Sequence, residues 1–548
     1  MKGNLEGNIA MSKEMKNTLI MQGSILAFAG IITKIIGFAY RIPMANLLGE
    51  TGNGIYSVAF GIYNIALTLS SYSLPLAVSK LVAYRLAKKE YRNAYHVFIN
   101  ALAFALLAGT TAAVVLFAGA GYLERLYETP GLAHPLRVLA PTTFIVALLG
   151  VFRGYFQGNS NMVPTAISQV IEQIVNAVVS VVATYQFIKV YQGAKDVAAY
   201  GAAGGTFGTL GGALAALFFV GYLFYAQRKS MKQQVNMDRS VVEGTGHIYK
   251  ALLLTILPVI LSQTIYQIGY TIDDLIFGKV MTANGVSKDA VTSLRGVFNT
   301  QYSQLVNLPV AIATAMAAST IPSIVRSFCQ NEKEEVHNKV DGVIKLNMVI
   351  AIPCAVGLAV LARPIVTILF PSLVTYRAVA CRLLVFGSSA VVFYAMSTIT
   401  TAVLQGSNRM GRPVIHCTIS LLLHIAIVYG LLKWTGLGVY ALIIGNITFP
   451  LLVCILNMRE VAKVLSYQWK LRQMLWKPFV ASLVMGCAAF VTYQGIYLLT
   501  GKMLPAFCAA MVVAMLVYAK MLMLASCFTD EELKEIPFGD KIDKIRKR

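Results

Sequence analysis

Lys34 and Arg41 stand seven residues apart within "GSILAFAGIITKIIGFAYRIPMANLL", so on a helix they share a face. Gly23, Gly30 and Gly37 repeat at the same spacing close to that face. A charged side chain at the centre of a membrane helix costs roughly 2.5 to 3.5 kcal/mol, and capture of an anion is the chemistry that would offset it. The competing interpretation is a helix-packing seam whose charges snorkel to the surface, and for Arg41, near the helix end, the two weigh equally. Lys34 lies deeper and is the best single candidate for an anion contact.

Four further groups of polar residues could line a polar cavity. Gln169, Glu172, Gln173, Asn176 and Ser180 fall at i, i+3, i+4, i+7 and i+11, about three turns of one helix face. Five polar groups exceed what packing needs, so a water-filled cavity is expected, with Glu172 either paired to a cation such as Lys34 or titrating as an ion-coupling group. Gln263, Gln267, Tyr270 and Asp274 repeat the pattern later in the chain, with Asp273 alongside as a second coupling candidate. For the two Asp residues a solvated helix end is an equal alternative, since Lys279 marks water nearby. Asn64, Thr68 and Ser71 form a milder stripe that interhelical hydrogen bonds would explain as well. Asn299, Gln304 and Asn307 follow, and Arg295, near an outer helix end, is a third candidate anion contact.

The elements that must carry these residues follow from composition. Of 548 residues 57% are hydrophobic and only 13% charged, which excludes an ordinary soluble protein. A hydrocarbon core about 30 Å thick needs roughly 20 apolar residues per helical crossing. Such runs recur near 18–40, 52–77, 95–123, 136–157, 164–188, 200–226, 251–278, 291–324, 343–369, 378–404, 413–434, 437–458, 475–499 and 502–525. The expected fold is therefore an all-α polytopic membrane protein of about fourteen transmembrane helices. The polar start followed by a run without a small-residue cleavage pattern predicts a retained first helix rather than a signal peptide. Most of the 46 Lys and Arg fall in segments that alternate to one side, which predicts a multi-pass membrane protein with both termini inside. The net charge of +22 then reflects topology and attraction to anionic lipid rather than nucleic acid.

An internal echo organises these helices. "FQGNSNMVP" after the fourth helix returns as "LQGSNRMGRP" after the tenth, and "SLPLAVSKLVAYRLAKK" is echoed by "NLPVAIATAMAASTIPSIVRSF". A helical hairpin needs Gly, Asn and Pro to turn in any case; the shared spacing of Gln-Gly, Met and Pro in the same ordinal loop points to duplication. Six helices per copy gives two parallel repeats facing a central cleft. The expected domains are an N-lobe at 1–226, a polar linker at 227–250, a C-lobe at 251–458, two added helices at 459–525 and a basic tail at 526–548.

Several chemistries are excluded. The chain has no GxxxxGK[ST] phosphate loop, no HExxH and no convincing nucleophile triad, so neither ATP hydrolysis nor another enzymatic activity is expected. The eight Cys are scattered without CxxC spacing, and the only two His sharing a helix, His416 and His424, lack an acidic partner, so no metal or other cofactor is expected.

"ITKIIGFAYRIPMANLLGETGNGIYSVAFGIYN", "LPLAVSKLVAYRLAKKEYRNA", "YSQLVNLPVAIATAMAASTIPS", the repeated Gln-Gly turn and "EIPFGDKI" together resemble the multidrug/oligosaccharidyl-lipid/polysaccharide exporter superfamily. Within it the chain is most similar to the polysaccharide-transporter branch that includes stage V sporulation protein B and lipid II flippases. The resemblance implies a substrate with a polyprenyl tail, a pyrophosphate and a sugar head, moved outward by alternating access, with membrane lipids and cell-wall synthases as candidate partners. It also implies that Lys34 stands where the flippases carry an Arg, and that Arg41 lies near a second basic position. Gln304 replaces a further Arg. The alternatives are a cation-coupled drug exporter of the same architecture and a nontransporting scaffold or sensor.

Overall fold

The computed structural model describes residues 2–525 except Asn331 and Asn408. Within the helices it describes side chains from residue 25 onward, apart from Ala27 and several positions in 258–270, 318–329 and 471–473. The basic tail therefore lies outside the described residues, as do the surroundings of Gly23 and the side chains of Gln263 and Tyr270. Every regular element described is helical. In lipid no water satisfies the backbone, so a chain this apolar must close its hydrogen bonds within helices. Ten described helices are long and apolar enough to cross a membrane, eleven if one pair bent by 45° forms a single span. The expected count of about fourteen is thus met only in its coarser form, a polytopic helical protein.

The chain divides into two compact units, Met1–Gly296 and Val297–Arg548. The first contains α1 (Lys2–Ser70), α2 (Leu74–Ala87), α3 (Tyr91–Leu126), α4 (Ala133–Gly158), α5 (Val163–Val190), α6 (Val197–Met237), α7 (Thr245–Ala283) and α8 (Lys288–Gly296). The second opens with a π-helical turn, Val297–Tyr302. It continues through α9 (Ser303–Cys329), α10 (Lys333–Val360), α11 (Ala362–Leu369), α12 (Arg377–Gly387), α13 (Ala390–Gly406), α14 (Gly411–Trp434), α15 (Tyr440–Leu465), α16 (Leu471–Thr500) and α17 (Met503–Leu524).

The first expected span and most of the second fall in α1, which breaks at Gly49, where φ is +67° and ψ is −168°. A side chain is strained at that φ, so glycine carries the break. The break orphans backbone carbonyls, and buried Asn53 answers them: its Nδ2 donates to Ala45 O at 2.7 Å and Gly49 O at 2.6 Å. A Cβ on Gly54 would overlap the Thr292 carbonyl, so glycine lets α8 lie directly on α1.

The most extensive seam in the first unit joins α5 and α6 through "AAGGTFGTLGG". A Cβ on Gly204 would stand 2.7 Å from Ala183 O, one on Gly212 2.5 Å from Glu172 O, and one on Gly208 would overlap the Ser180 hydroxyl. Small residues four apart allow such backbone approach in membranes, where dispersion and interhelical hydrogen bonds replace the hydrophobic drive. Ser180 Oγ uses the gap, 2.8 Å from Gly205 O. Gly208→Leu should therefore destabilise the protein by about 1 to 3 kcal/mol or more through overpacking, read as a lowered thermal midpoint in detergent. Gly221→Leu, with open space around its Cβ, should leave that midpoint unchanged.

The stretch 227–250, expected as a polar linker, is mostly helix. α6 continues to Met237, which makes it 41 residues, about 60 Å at 1.5 Å per residue and longer than a bilayer core requires. The segment after it is fastened to the α2–α3 turn. Asp238 accepts from the Arg92 amide at 2.8 Å, Asn93 binds Val241 O at 2.9 Å and the Glu243 amide at 3.0 Å, and Arg85 pairs with Glu243.

In the second unit, the bent pair is α12 with α13, broken at Ser388 and Ser389. Tyr302, from the π-helical turn, reaches that break: its hydroxyl lies 3.0 Å from Gly387 O and 2.9 Å from Asn446 Oδ1. A Cβ on Gly387 would overlap the Tyr302 ring, so glycine admits it. Both copies of the repeated Gln-Gly motif end a helix, α4 at Gly158 and α13 at Gly406. In the first copy Ser160 takes φ +57° and Asn161 Oδ1 accepts from the Val163 amide at 3.3 Å, so polar turn residues reverse the chain.

Candidate functional site

Helices α1, α4 and α5 of the first unit bring charged groups together. Arg153, on α4, donates through Nη2 to Glu172 of α5 at 2.7 Å and through Nε to Ser168 Oγ at 2.9 Å. Their side chains are 13% and 24% exposed, so the pair is shielded yet open to an incoming group. Tyr63 of α1 lies within electrostatic reach of the Glu172 carboxylate. The expectation that Glu172 pairs with Lys34 is therefore corrected: its partner is Arg153, which the stripe analysis missed. The signal was available, because Arg153 and Glu172 flank the turn in "FRGYFQGNSNMVPTAISQVIEQ" and a hairpin must bring its two arms together.

The position of Lys34 follows from the register of α1 on α5. Asn176 Nδ2 donates to Tyr40 Oη at 3.2 Å, and three residues earlier on each helix Gln173 Oε1 lies 3.7 Å from where a Gly37 Cβ would stand. The helices run in the same direction, and one further turn back sets Lys34 level with Gln169. Lys34 is exposed and has no hydrogen-bond or ion-pair partner among the described residues. Arg41, two turns along, is also exposed and lies beside Tyr40 and Tyr56.

The rest of the α5 stripe is packing rather than cavity. Asn176 is buried by its bond to Tyr40, and Ser180 is buried against α6 and bonded to Asn176 Oδ1 at 2.9 Å. Gln169 and Gln173 remain half-buried, so the accessible polar face is about half as long as its spacing suggested. The α1 stripe closes on its own backbone. Thr68 bonds Asn64 O at 2.8 Å and Ser71 bonds Leu67 O at 3.1 Å, with both side chains buried and Asn64 half-buried.

Arg295 departs furthest from expectation. Placed by the sequence at an open helix end, it is fully buried. Nη1 donates to Thr129 Oγ1 and Nη2 to Asp274 O, each at 2.5 Å, while Gly278 supplies the space, since a Cβ there would overlap the guanidinium. Both terminal nitrogens are engaged within the fold and the side chain is sealed from solvent, which removes it from the anion contacts. Asp273 and Asp274 are likewise buried rather than solvated, at 8% and 5% exposure. Gln267 is half-buried, and its carbonyl accepts from Thr271 at 3.1 Å. The Gln263 side chain lies outside the described residues.

In the second unit Gln304 and Asn299 are half-buried and Asn307 is exposed. His416 and His424 make separate contacts, Nδ1 of one 2.8 Å from Asn457 Oδ1 and Nδ1 of the other 3.1 Å from Gly445 O.

Known proteins place this architecture. The family described as "Polysaccharide biosynthesis protein" matches residues 19–328. Stage V sporulation protein B of Bacillus subtilis (strain 168) is 26% identical over 459 residues, 84% of this chain and 86% of that protein. Lipid II flippase MurJ of the same organism is 25% identical over 434 residues, 76% of this chain and 78% of that one. Among solved structures, Lipid II flippase MurJ in an inward closed conformation superposes with a TM-score of 0.66 at 15% identity, over 91% of this chain and 98% of that one. A multidrug resistance MATE family transporter, inward-facing, gives 0.65 at 17% identity, over 80% and 96%. The chain belongs to the polysaccharide biosynthesis protein family, in the polysaccharide-transporter branch of the multidrug/oligosaccharidyl-lipid/polysaccharide exporter superfamily.

Proposed function

We propose that this protein is a flippase that carries a polyprenyl-pyrophosphate-linked sugar, of the lipid II class, from the inner to the outer leaflet of the bacterial cytoplasmic membrane by alternating access. One observation carries the reading: Lys34, a cation without a described partner, stands on α1 level with Gln169 of α5, the helix whose neighbouring flank carries the Arg153–Glu172 pair. Such a face suits an anion joined to a head group rich in hydroxyls. The named activity of the relative Lipid II flippase MurJ supports it.

Physical chemistry gives the need and the drive. Each hydroxyl or amide left unpaired in an apolar medium costs roughly 2 to 7 kcal/mol, so a sugar head crosses unaided only very slowly. A pyrophosphate carrying about two negative charges gains about 4 to 5 kcal/mol on moving outward down an inside-negative potential of about 100 mV. ATP is not required by this scheme. The distribution of Lys and Arg supports an orientation with both termini inside.

A second reading, cation-coupled export of a drug, is favoured by the adjacent buried carboxyls Asp273 and Asp274. Proteoliposomes separate the two. Fluorescent lipid II, a lipid-linked polysaccharide unit and a cationic dye are supplied in parallel, with and without a potential. The flippase reading expects one of the two lipids to cross, faster with the inside negative. Dye movement that follows an ion gradient, with neither lipid flipped, would overturn it.

A further inference from the structure

Glu172 holds a position that a substrate phosphate would compete for. Its carboxylate occupies the Nη2 donor of Arg153, leaving Nε on a neutral hydroxyl, Ser168 Oγ. On α5, Ser168 and Glu172 are one turn apart on the flank toward α4, while Gln169 and Gln173 form the neighbouring flank toward α1. Lys34 stands level with that second flank. Glu172 thus lies between a cation it neutralises and a cation that has no described partner, with a quarter of its side chain accessible.

We propose that Glu172 is a built-in stand-in for phosphate: it holds Arg153 in the empty carrier, and an entering pyrophosphate displaces it, so that Arg153 and Lys34 together seat the anion. This rests on the flippase reading and adds a residue, Arg153, and a mode of recognition to it. The guanidinium suits the task because its planar fork accepts a carboxylate and a phosphate in the same geometry. The exchange replaces one anion on Arg153 with another, while the released carboxylate, already partly exposed, turns to water. It also accounts for a carboxylate on a face otherwise suited to an anion, where it would repel the substrate if it stayed bare. A plain hairpin staple would need neither the exposure nor the neighbouring free lysine.

The test measures binding of a polyprenyl pyrophosphate to the full-length protein in nanodiscs, with the uncharged polyprenol and inorganic pyrophosphate as parallel probes. Glu172→Gln should bind the lipid pyrophosphate about tenfold more tightly than the parent, the equivalent of removing one charge-assisted competitor. Arg153→Gln should bind it about tenfold more weakly, Arg153→Lys should fall between, and in the Arg153→Gln background Glu172→Gln should add nothing. Inorganic pyrophosphate should follow the same order more weakly, and polyprenol should not respond. Glu172→Asp, which keeps the charge but shortens the reach, should also bind more tightly and serves if the glutamine protein is unstable. No tightening in either Glu172 variant while the parent binds, or tightening that persists without Arg153, overturns the stand-in alone. A parent that binds the pyrophosphate no better than polyprenol overturns the flippase reading itself.

Discussion

Arg295→Ala should cost the fold about 3 to 5 kcal/mol, the range seen when one partner of a buried charge is removed. The guanidinium is fully buried, bonded to Thr129 Oγ1 on the α3–α4 turn and to Asp274 O on α7, while it projects from α8. Three elements therefore meet on one side chain. Truncation would leave a cavity, an unmet carbonyl and the neighbouring buried Asp274 without its compensating charge. Arg295→Met fills most of the volume but not the charge, so it should recover only part of the loss, and Asp274→Asn combined with it should recover more. Gly278→Val should mimic the damage from the other side, because any side chain there overlaps the guanidinium. Thermal unfolding in detergent measures each. A midpoint for Arg295→Ala equal to that of Arg41→Ala, an exposed cation, would show that the buried node carries no stability.

Arg295 also shows where periodicity stops informing. Sequence spacing located the helices and their polar stripes because hydropathy in lipid is a one-dimensional property: a residue is apolar, or its presence needs a reason. That was enough for a polytopic helical protein and for singling out Lys34 and Glu172. Spacing does not say which neighbour a stripe faces. Asn176 and Ser180 looked as available as Gln169 and Gln173, yet the glycines of α6 draw α5 so close that the far half of the stripe is sealed. The glycine run was visible in the sequence, and its consequence for α5 depends on a pairing that only the fold supplies. Arg153 was passed over for the complementary reason: the other arginine of α4, Arg137, is more than four turns away, so no run of charges marks the position, and its partner is reached across a turn.

Lys34→Gln should slow flipping of the lipid-linked sugar on the order of 10- to 100-fold, the kinetic equivalent of losing a hydrogen bond to a charged group worth about 1.5 to 3 kcal/mol. The same change should leave thermal stability within about 0.5 kcal/mol, since Lys34 is exposed and no described residue depends on it. That separation makes the position informative: Arg153 and Glu172 hold each other, so their variants alter structure and recognition together, whereas Lys34 is free to act on the substrate alone. Lys34→Arg should retain most of the rate, because the charge persists and the planar fork also grips phosphate. Lys34→Glu should lose more than Lys34→Gln, because repulsion is added to the missing attraction. Arg41→Gln should lose less, since Arg41 lies more than one turn along α1 from the level of Glu172 and Lys34 less than one. Initial rates in proteoliposomes at matched protein density decide the series. If Lys34→Glu flips lipid as fast as the parent, the anion is not read on this face, and the cation-coupled alternative with its buried Asp273 and Asp274 becomes the stronger one.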